Sequence, residues 1–149
     1  MKTSIEDELR QLILVVDDQP DHLQVIENVL SDDTNNTQIV TISTTTEATD
    51  FMLGQGRHAQ SQQPDVVLLN MRLADGQAQT LLTTIKTSPK LRKIPTIVLT
   101  PDASEEEVLN SYRQQCNSLV VKPQDLAHLS KTLQVVKSFW LNIVTLPIK

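Results

Sequence analysis

The chain is predicted to be one α/β domain built on a parallel sheet. Two observations carry that prediction. Short apolar runs of strand length alternate with longer amphipathic stretches, and four of the runs end in a residue able to do chemistry. Leu12-Ile13-Leu14-Val15-Val16 stops at Asp17-Asp18, and Val66-Val67-Leu68-Leu69 delivers Asn70. Ile97-Val98-Leu99 stops at Thr100, and Leu119-Val120-Val121 stops at Lys122-Pro123. Continuous apolar runs suit strands covered on both faces. In an open parallel sheet, ligand chemistry gathers outside the carboxyl ends of the strands. Two carboxylates, an amide, a hydroxyl and an ammonium are therefore expected at one edge.

Taken in order, residues 1–10 are polar and acidic and read as a frayed lead or a short helix. After the first strand, Asp17-Asp18-Gln19-Pro20-Asp21 opens a helix with Leu23, Ile26, Val29 and Leu30 on one face. Pro20 suits its first turn, where a missing N–H costs nothing. Ser31 to Thr37 closes that helix, and Gln38 to Ile42 alternates threonine with apolar residues, as an edge strand does. The next helix runs through Ala48, Phe51, Met52 and Leu53, with Gly54 and Gly56 at its end and a polar connector from Arg57 to Gln63.

The third strand carries Asn70. Gly76 then starts a helix that packs through Leu81, Leu82 and Ile85 and closes at Ser88-Pro89. Ile94-Pro95 leads into the fourth strand. Beyond it, Glu105, Glu106 and Glu107 stand where the positive end of a helix dipole favours them, and Val108, Leu109 and Tyr112 are expected to form that helix's buried face. A fifth strand runs to Val121. Five strands alternating with five helices over short connectors imply right-handed crossovers.

The last helix is expected from about Gln124. Leu126, Leu129, Leu133, Val136, Trp140 and Ile143 recur at spacings of three and four, the seam of helix packing. Continued to Thr145, it would be about 33 Å long, more than one small sheet covers. Phe139, Trp140, Leu141, Ile143, Val144, Leu146 and Ile148 put apolar side chains on several faces. Such a patch marks an interface. A homodimer through this segment is expected, with residues 1–149 forming one domain, its core at about 11–137 and a carboxyl-terminal extension at about 138–149.

Composition narrows the function. The 149 residues are 39% hydrophobic and 21% charged, ordinary for a globular chain long enough to bury one core. No apolar run reaches membrane-span length and the start lacks a signal-peptide core, so a cytoplasmic location is expected. The net charge is −5, and Lys86, Lys90, Arg92 and Lys93 form only a local patch that reads as a solvated helix terminus. Nucleic acid and membrane are therefore not expected partners. Cys116 is the one cysteine, which excludes an internal disulfide and reads as a small buried apolar residue. His22, His58 and His128 are too scattered for a metal site, and His22 reads as an exposed first-turn residue.

Adjacent aspartates suit a hard divalent cation such as Mg²⁺. The ordered set Val16-Asp17-Asp18, Leu68-Leu69-Asn70-Met71-Arg72-Leu73 with Asp75-Gly76, Val98-Leu99-Thr100 and Val121-Lys122-Pro123 resembles the receiver domain of two-component response regulators. That resemblance runs from about Leu12 to the last helix. It implies a flavodoxin-like (βα)5 fold with strand order 2-1-3-4-5. It also implies a phospho-acceptor aspartate, served by a histidine kinase, at the position of Asn70. Asp17, Asp18, the side chain at 70 and the backbone carbonyl of Arg72 would hold Mg²⁺. Thr100 and Lys122 would bind phosphoryl oxygens, and the Lys122–Pro123 bond would be cis.

Several residues depart from the family's pattern. Asn70 carries an amide, which cannot serve as the carboxylate nucleophile of an acyl phosphate. No catalytic residue and no enzymatic activity are expected, and Mg²⁺ binding should be weakened by the lost anionic ligand. Leu119 lies where receivers usually carry a rotating Tyr or Phe, Pro101 where a small residue is usual, and Ala74 where proline is common. The expected function is a phosphorylation-independent pseudo-receiver or adaptor acting through protein contacts. The rival is a conventional Mg²⁺-dependent, Asp-phosphorylated receiver in the form of an Asn70 variant. Leu91-Arg92-Lys93-Ile94-Pro95 and the ending from Ser138 to Pro147 resemble the small stand-alone cyanobacterial regulators that pair with phytochrome histidine kinases. That resemblance implies a phytochrome-type kinase as partner and supports the homodimer. A nucleotide- or flavin-binding fold is disfavoured, because no glycine-rich phosphate loop follows the first strand.

Overall fold

Period-two alternation of side chains between two buried faces sets the architecture. The computed structural model describes residues 11–31, 37–56, 62–101 and 118–143, together with Ser104, Val108, Tyr112 and Cys116. Strand β1 (Gln11–Val16) sends Leu12, Leu14 and Val16 to one face of the sheet and Ile13 and Val15 to the other. β3 (Val66–Asn70) and β4 (Thr96–Thr100) are buried along their whole length. β2 (Thr37–Ile42) and β5 (Ser118–Val121) are only partly covered, as edge strands are. All pairs are parallel and the order is β2-β1-β3-β4-β5, with Val16 opposite Leu69 and Asn70 opposite Leu99. This is the predicted flavodoxin-like order.

Helices cover both faces. α1 (Pro20–Leu30) and α4 (Leu126–Lys137) pack on one side through Ile26, Leu30, Leu129, Leu133 and Val136. α2 (Thr45–Leu53) and α3 (Ala78–Thr87) close the other through Ala48, Phe51, Met52, Leu81, Leu82 and Ile85. Pro20 opens α1, as expected, and Gly54 ends α2 in the left-handed region at φ 67°, where a side chain would be strained. Among the described residues, no helix is long and apolar enough to cross a membrane.

Several expectations need correction. The helix forecast from Gly76 begins two residues later, because Gly76 takes φ 68° and stands outside it in a turn whose N–H donates to the Leu73 carbonyl. Tyr112 is half exposed rather than buried, a position its phenol tolerates. His22 is buried, not exposed: it stands four and eight residues before Ile26 and Leu30, on the same stripe. The long final helix keeps α geometry only to Lys137; Ser138–Ile143 continue as a wider π-helix. Phe139 and Trp140 meet there edge to face, with ring centroids 5.5 Å apart.

Within the predicted seam, Leu129, Leu133 and Val136 are buried and Trp140 packs against them, but Leu126 in the first turn is 40% exposed. The seam therefore serves α1 and the sheet. Among the described residues the chain has no cis peptide bond, so the Lys122–Pro123 bond takes the ordinary trans form. The first ten residues, the connector at 57–61, the ending at 144–149 and most of the segment between β4 and β5, including Leu109, lie outside the described residues.

Candidate functional site

Register brings the predicted set together. Asp17, Asn70, Thr100 and Lys122 follow or end β1, β3, β4 and β5, and each is only 1% exposed. Backbone bonds carry the ladder past the strand ends: the Asp17 N–H donates to Ile42 O at 3.1 Å, Met71 N–H to Leu99 O at 2.9 Å and Lys122 N–H to Thr100 O at 2.6 Å. The side chains are thus presented by a continuous hydrogen-bonded edge.

Asp17 is the centre of the crevice. Its Oδ2 accepts from the Lys122 ammonium at 2.7 Å, a buried ion pair with both side chains almost wholly out of solvent. Its Oδ1 accepts from the Asn70 amide nitrogen at 3.2 Å and from the Gln19 N–H at 3.0 Å. The Asn70 oxygen turns the other way and accepts from the Arg72 N–H at 3.1 Å. The opposite amide orientation would set oxygen against the Asp17 carboxylate and NH₂ against the Arg72 N–H, so the neighbours fix this one. Asp18 reaches outward, its Oδ2 accepting from the Ala74 N–H at 2.7 Å.

The buried charge at Asp17 is met by Lys122, while Asp18 keeps its charge at the mouth of the crevice. One buried carboxylate faces one buried ammonium, and the group between Asp17 and Arg72 is neutral. Removing the charge of either partner leaves the other uncompensated in a low-dielectric site. As donors for a divalent cation, Asp17, Asp18 and the Arg72 carbonyl are of the right chemical kind. Their best oxygens are nonetheless committed: Asp17 to three donors, Asp18 to Ala74 and the Asn70 oxygen to Arg72. Among the described residues, no three Asp, Glu, His or Cys side chains converge as a metal cluster. A metal here therefore fits in kind and would share carboxylates that already accept hydrogen bonds.

The loop after β3 is tied to its neighbour helix. Asp75 accepts from the Thr45 N–H at 2.9 Å and the Thr45 hydroxyl at 3.0 Å through Oδ2, and from the Gln77 N–H at 3.0 Å through Oδ1. The Thr45 backbone bond, foremost, holds the Asp75 carboxyl below the usual aspartate range, with burial opposing. Leu119 is half-buried against the α2–α3 core rather than standing free.

Two residues near the site stand otherwise than the sequence suggested. Gln19 precedes α1 without capping it through its side chain, and its Oε1 instead accepts from the Lys122 ammonium at 2.9 Å. Its position beside Asp17-Asp18 was the only available signal. His22 buries an Nδ1 that has no hydrogen-bond partner.

A doubly wound parallel sheet with acidic, hydroxyl and lysine side chains gathered at its carboxyl edge defines an open α/β domain of flavodoxin-like class, with its ligand crevice at that edge. Within that class, the chain belongs to the response regulator receiver domain family, whose model matches residues 13–134. The response regulator Rcp1 of Synechocystis is 32% identical over 137 residues, 92% of this chain and 93% of that one. The crystal structure of the Mn²⁺-bound form of Rcp1 superposes with a TM-score of 0.88, covering 93% of this chain and 99% of that one at 32% identity. The phosphorylated cyanobacterial phytochrome response regulator RcpA superposes at 0.89 with 28% identity, covering 93% of this chain and 99% of that one. The chain is thus a receiver-domain component of two-component signalling, related to Rcp1 and RcpA.

Proposed function

We infer that this receiver works as a phosphorylation-independent adaptor, a pseudo-receiver whose output is protein contact. The observation that carries the reading is the Asn70 amide nitrogen donating to Asp17 at 3.2 Å. An amide at that place supplies no anionic oxygen to attack phosphorus, and its NH₂ is already spent on the carboxylate beside it. Thr100 and Lys122 occupy the positions from which phosphoryl oxygens are bound in receivers, but the ammonium is engaged with Asp17. Mg²⁺, when bound, would be held by Asp17, Asp18 and the Arg72 carbonyl, with Asn70 turned over, and more weakly than by a site with aspartate at 70. It would supply charge neutralisation only.

The partner in this reading is a histidine kinase of phytochrome type, by likeness to the phytochrome response regulator RcpA, and the assembly is a homodimer through the carboxyl-terminal segment. Val135 is 69% exposed and Phe139, four residues on, is 49% exposed. Two large apolar side chains on one helical face leave a surface suited to a second copy. The location in this reading is the cytoplasm, where such kinases act.

Light scattering tests both parts. The chain and its Asn70→Asp variant are measured with Mg²⁺ before and after acetyl phosphate. A dimer throughout for the unaltered chain, reduced to a monomer by Phe139→Asp, is the expected result. A mass that changes only when the donor is added to the unaltered chain would overturn it in favour of the conventional receiver.

A further inference from the structure

Gln19 stands beside the acidic pair and closes the crevice on the α1 side. It precedes the first residue of α1, a place where a side-chain oxygen ordinarily caps the helix, but it makes no such bond. Its backbone N–H donates to Asp17 Oδ1 at 3.0 Å while its own Oε1 accepts from Lys122 Nζ at 2.9 Å. The Lys122 ammonium, buried to 1% exposure, therefore has two oxygens on the α1 side of the crevice, Asp17 Oδ2 at 2.7 Å and Gln19 Oε1.

We propose that Gln19 is a positioning residue that latches Lys122 onto Asp17, so that the lysine ammonium serves as the crevice's resident cation and competes with divalent metal for the Asp17 carboxylate. This rests on the reading that the crevice takes up no phosphoryl group. The chemistry follows from donor counting. An ammonium has three hydrogens, and two are bound in line with fixed oxygens. A metal ion at Asp17 sets a second cation against the ammonium in a dry site, and one that takes Oδ2 must strip the ammonium from that oxygen. Without the amide oxygen at 19, the ammonium has one fixed protein acceptor in this latch and is easier to displace. The capped end of α1 is not at stake, because the Gln19 side chain does not cap it.

The test uses Mn²⁺ alone as probe, its free-ion paramagnetic resonance signal reporting binding, and the ¹⁵N signal of the Lys122 ammonium as a second readout. Gln19→Ala is expected to tighten Mn²⁺ binding about ten-fold, the lower end of what one hydrogen bond to a charged group is worth, and to broaden the ammonium signal by faster hydrogen exchange. Gln19→Glu, which keeps an acceptor at the same reach, is expected to retain the sharp ammonium signal. If Gln19→Ala leaves both the Mn²⁺ affinity and the ammonium signal unchanged, the latch does not exist. A sharp ammonium signal lost equally in Gln19→Ala and Gln19→Glu would also overturn it, since the acceptor would then be irrelevant. Both readouts are taken on the unphosphorylated chain. A failed latch is thereby told apart from a failed functional reading, which phosphoryl uptake alone reveals.

Discussion

Asp17 is the common acceptor at the centre of the crevice. Its two oxygens take three hydrogen bonds, from Lys122, Asn70 and Gln19, and its charge is met by one ammonium. A buried pair of this kind adds little net stability compared with apolar packing, but breaking it is expensive. Lys122→Met should therefore destabilise the fold by roughly 3 kcal/mol, read as a lower urea midpoint with an unchanged slope. The identities of these residues and their common edge were legible in the sequence, because each stands directly after an apolar run of strand length. Their pairing was not. Whether an ammonium turns to position 70, to Asp17 or to Gln19 depends on distances set by four strands at once, which no local pattern encodes. His22 shows a related gap: at the start of α1, the stripe from His22 to Ile26 and Leu30 competes with the polar run before it, and only packing against the sheet decides which one is buried.

Among the elements, the loop from Asn70 to Gln77 is held at both ends. Asn70 ties its start to β1, and Asp75 ties its end to the first turn of α2. The Asp75 carboxyl is depressed mainly by the Thr45 N–H. A carboxyl lowered in the folded state stabilises the fold above its unfolded value, and that contribution fades as pH falls through the folded value. Asp75→Ala should therefore cost on the order of 1 kcal/mol near neutrality, kept small by solvent screening, with the difference from the unaltered chain shrinking below about pH 4. Urea midpoints of the two proteins from pH 7 downward measure it. A difference that grows on acidification would contradict the assigned role. At this scale the sequence was most readable: five strands, their order through the family resemblance, Pro20 at the head of α1 and Gly54 at the end of α2. The last helix was misjudged in geometry because heptad spacing is blind to a switch from α to π winding, which adds residues per turn without changing residue type.

Across the whole molecule, helices cover the central strands on both faces, and among the residues of described burial the largest apolar exposure on α4 and the turn after it is at Val135 and Phe139. The charged crevice and this surface lie on different parts of the fold, so the proposed adaptor surface is separate from the crevice. A receiver that switches must instead change its edge when a phosphoryl group arrives. Here Lys122, Asp17, Gln19 and Asn70 already satisfy one another, so one arrangement of the edge is favoured. Phosphoryl uptake is the measurement that reaches this point most directly. The chain is incubated with acetyl phosphate and Mg²⁺, its intact mass is recorded before and after hydroxylamine, and RcpA is treated in parallel as the phosphorylatable control. An unchanged mass for this chain, beside a hydroxylamine-labile phosphoryl gain on the control, is the expected result. A hydroxylamine-labile phosphoryl group on this chain would contradict it and return the protein to the conventional receivers.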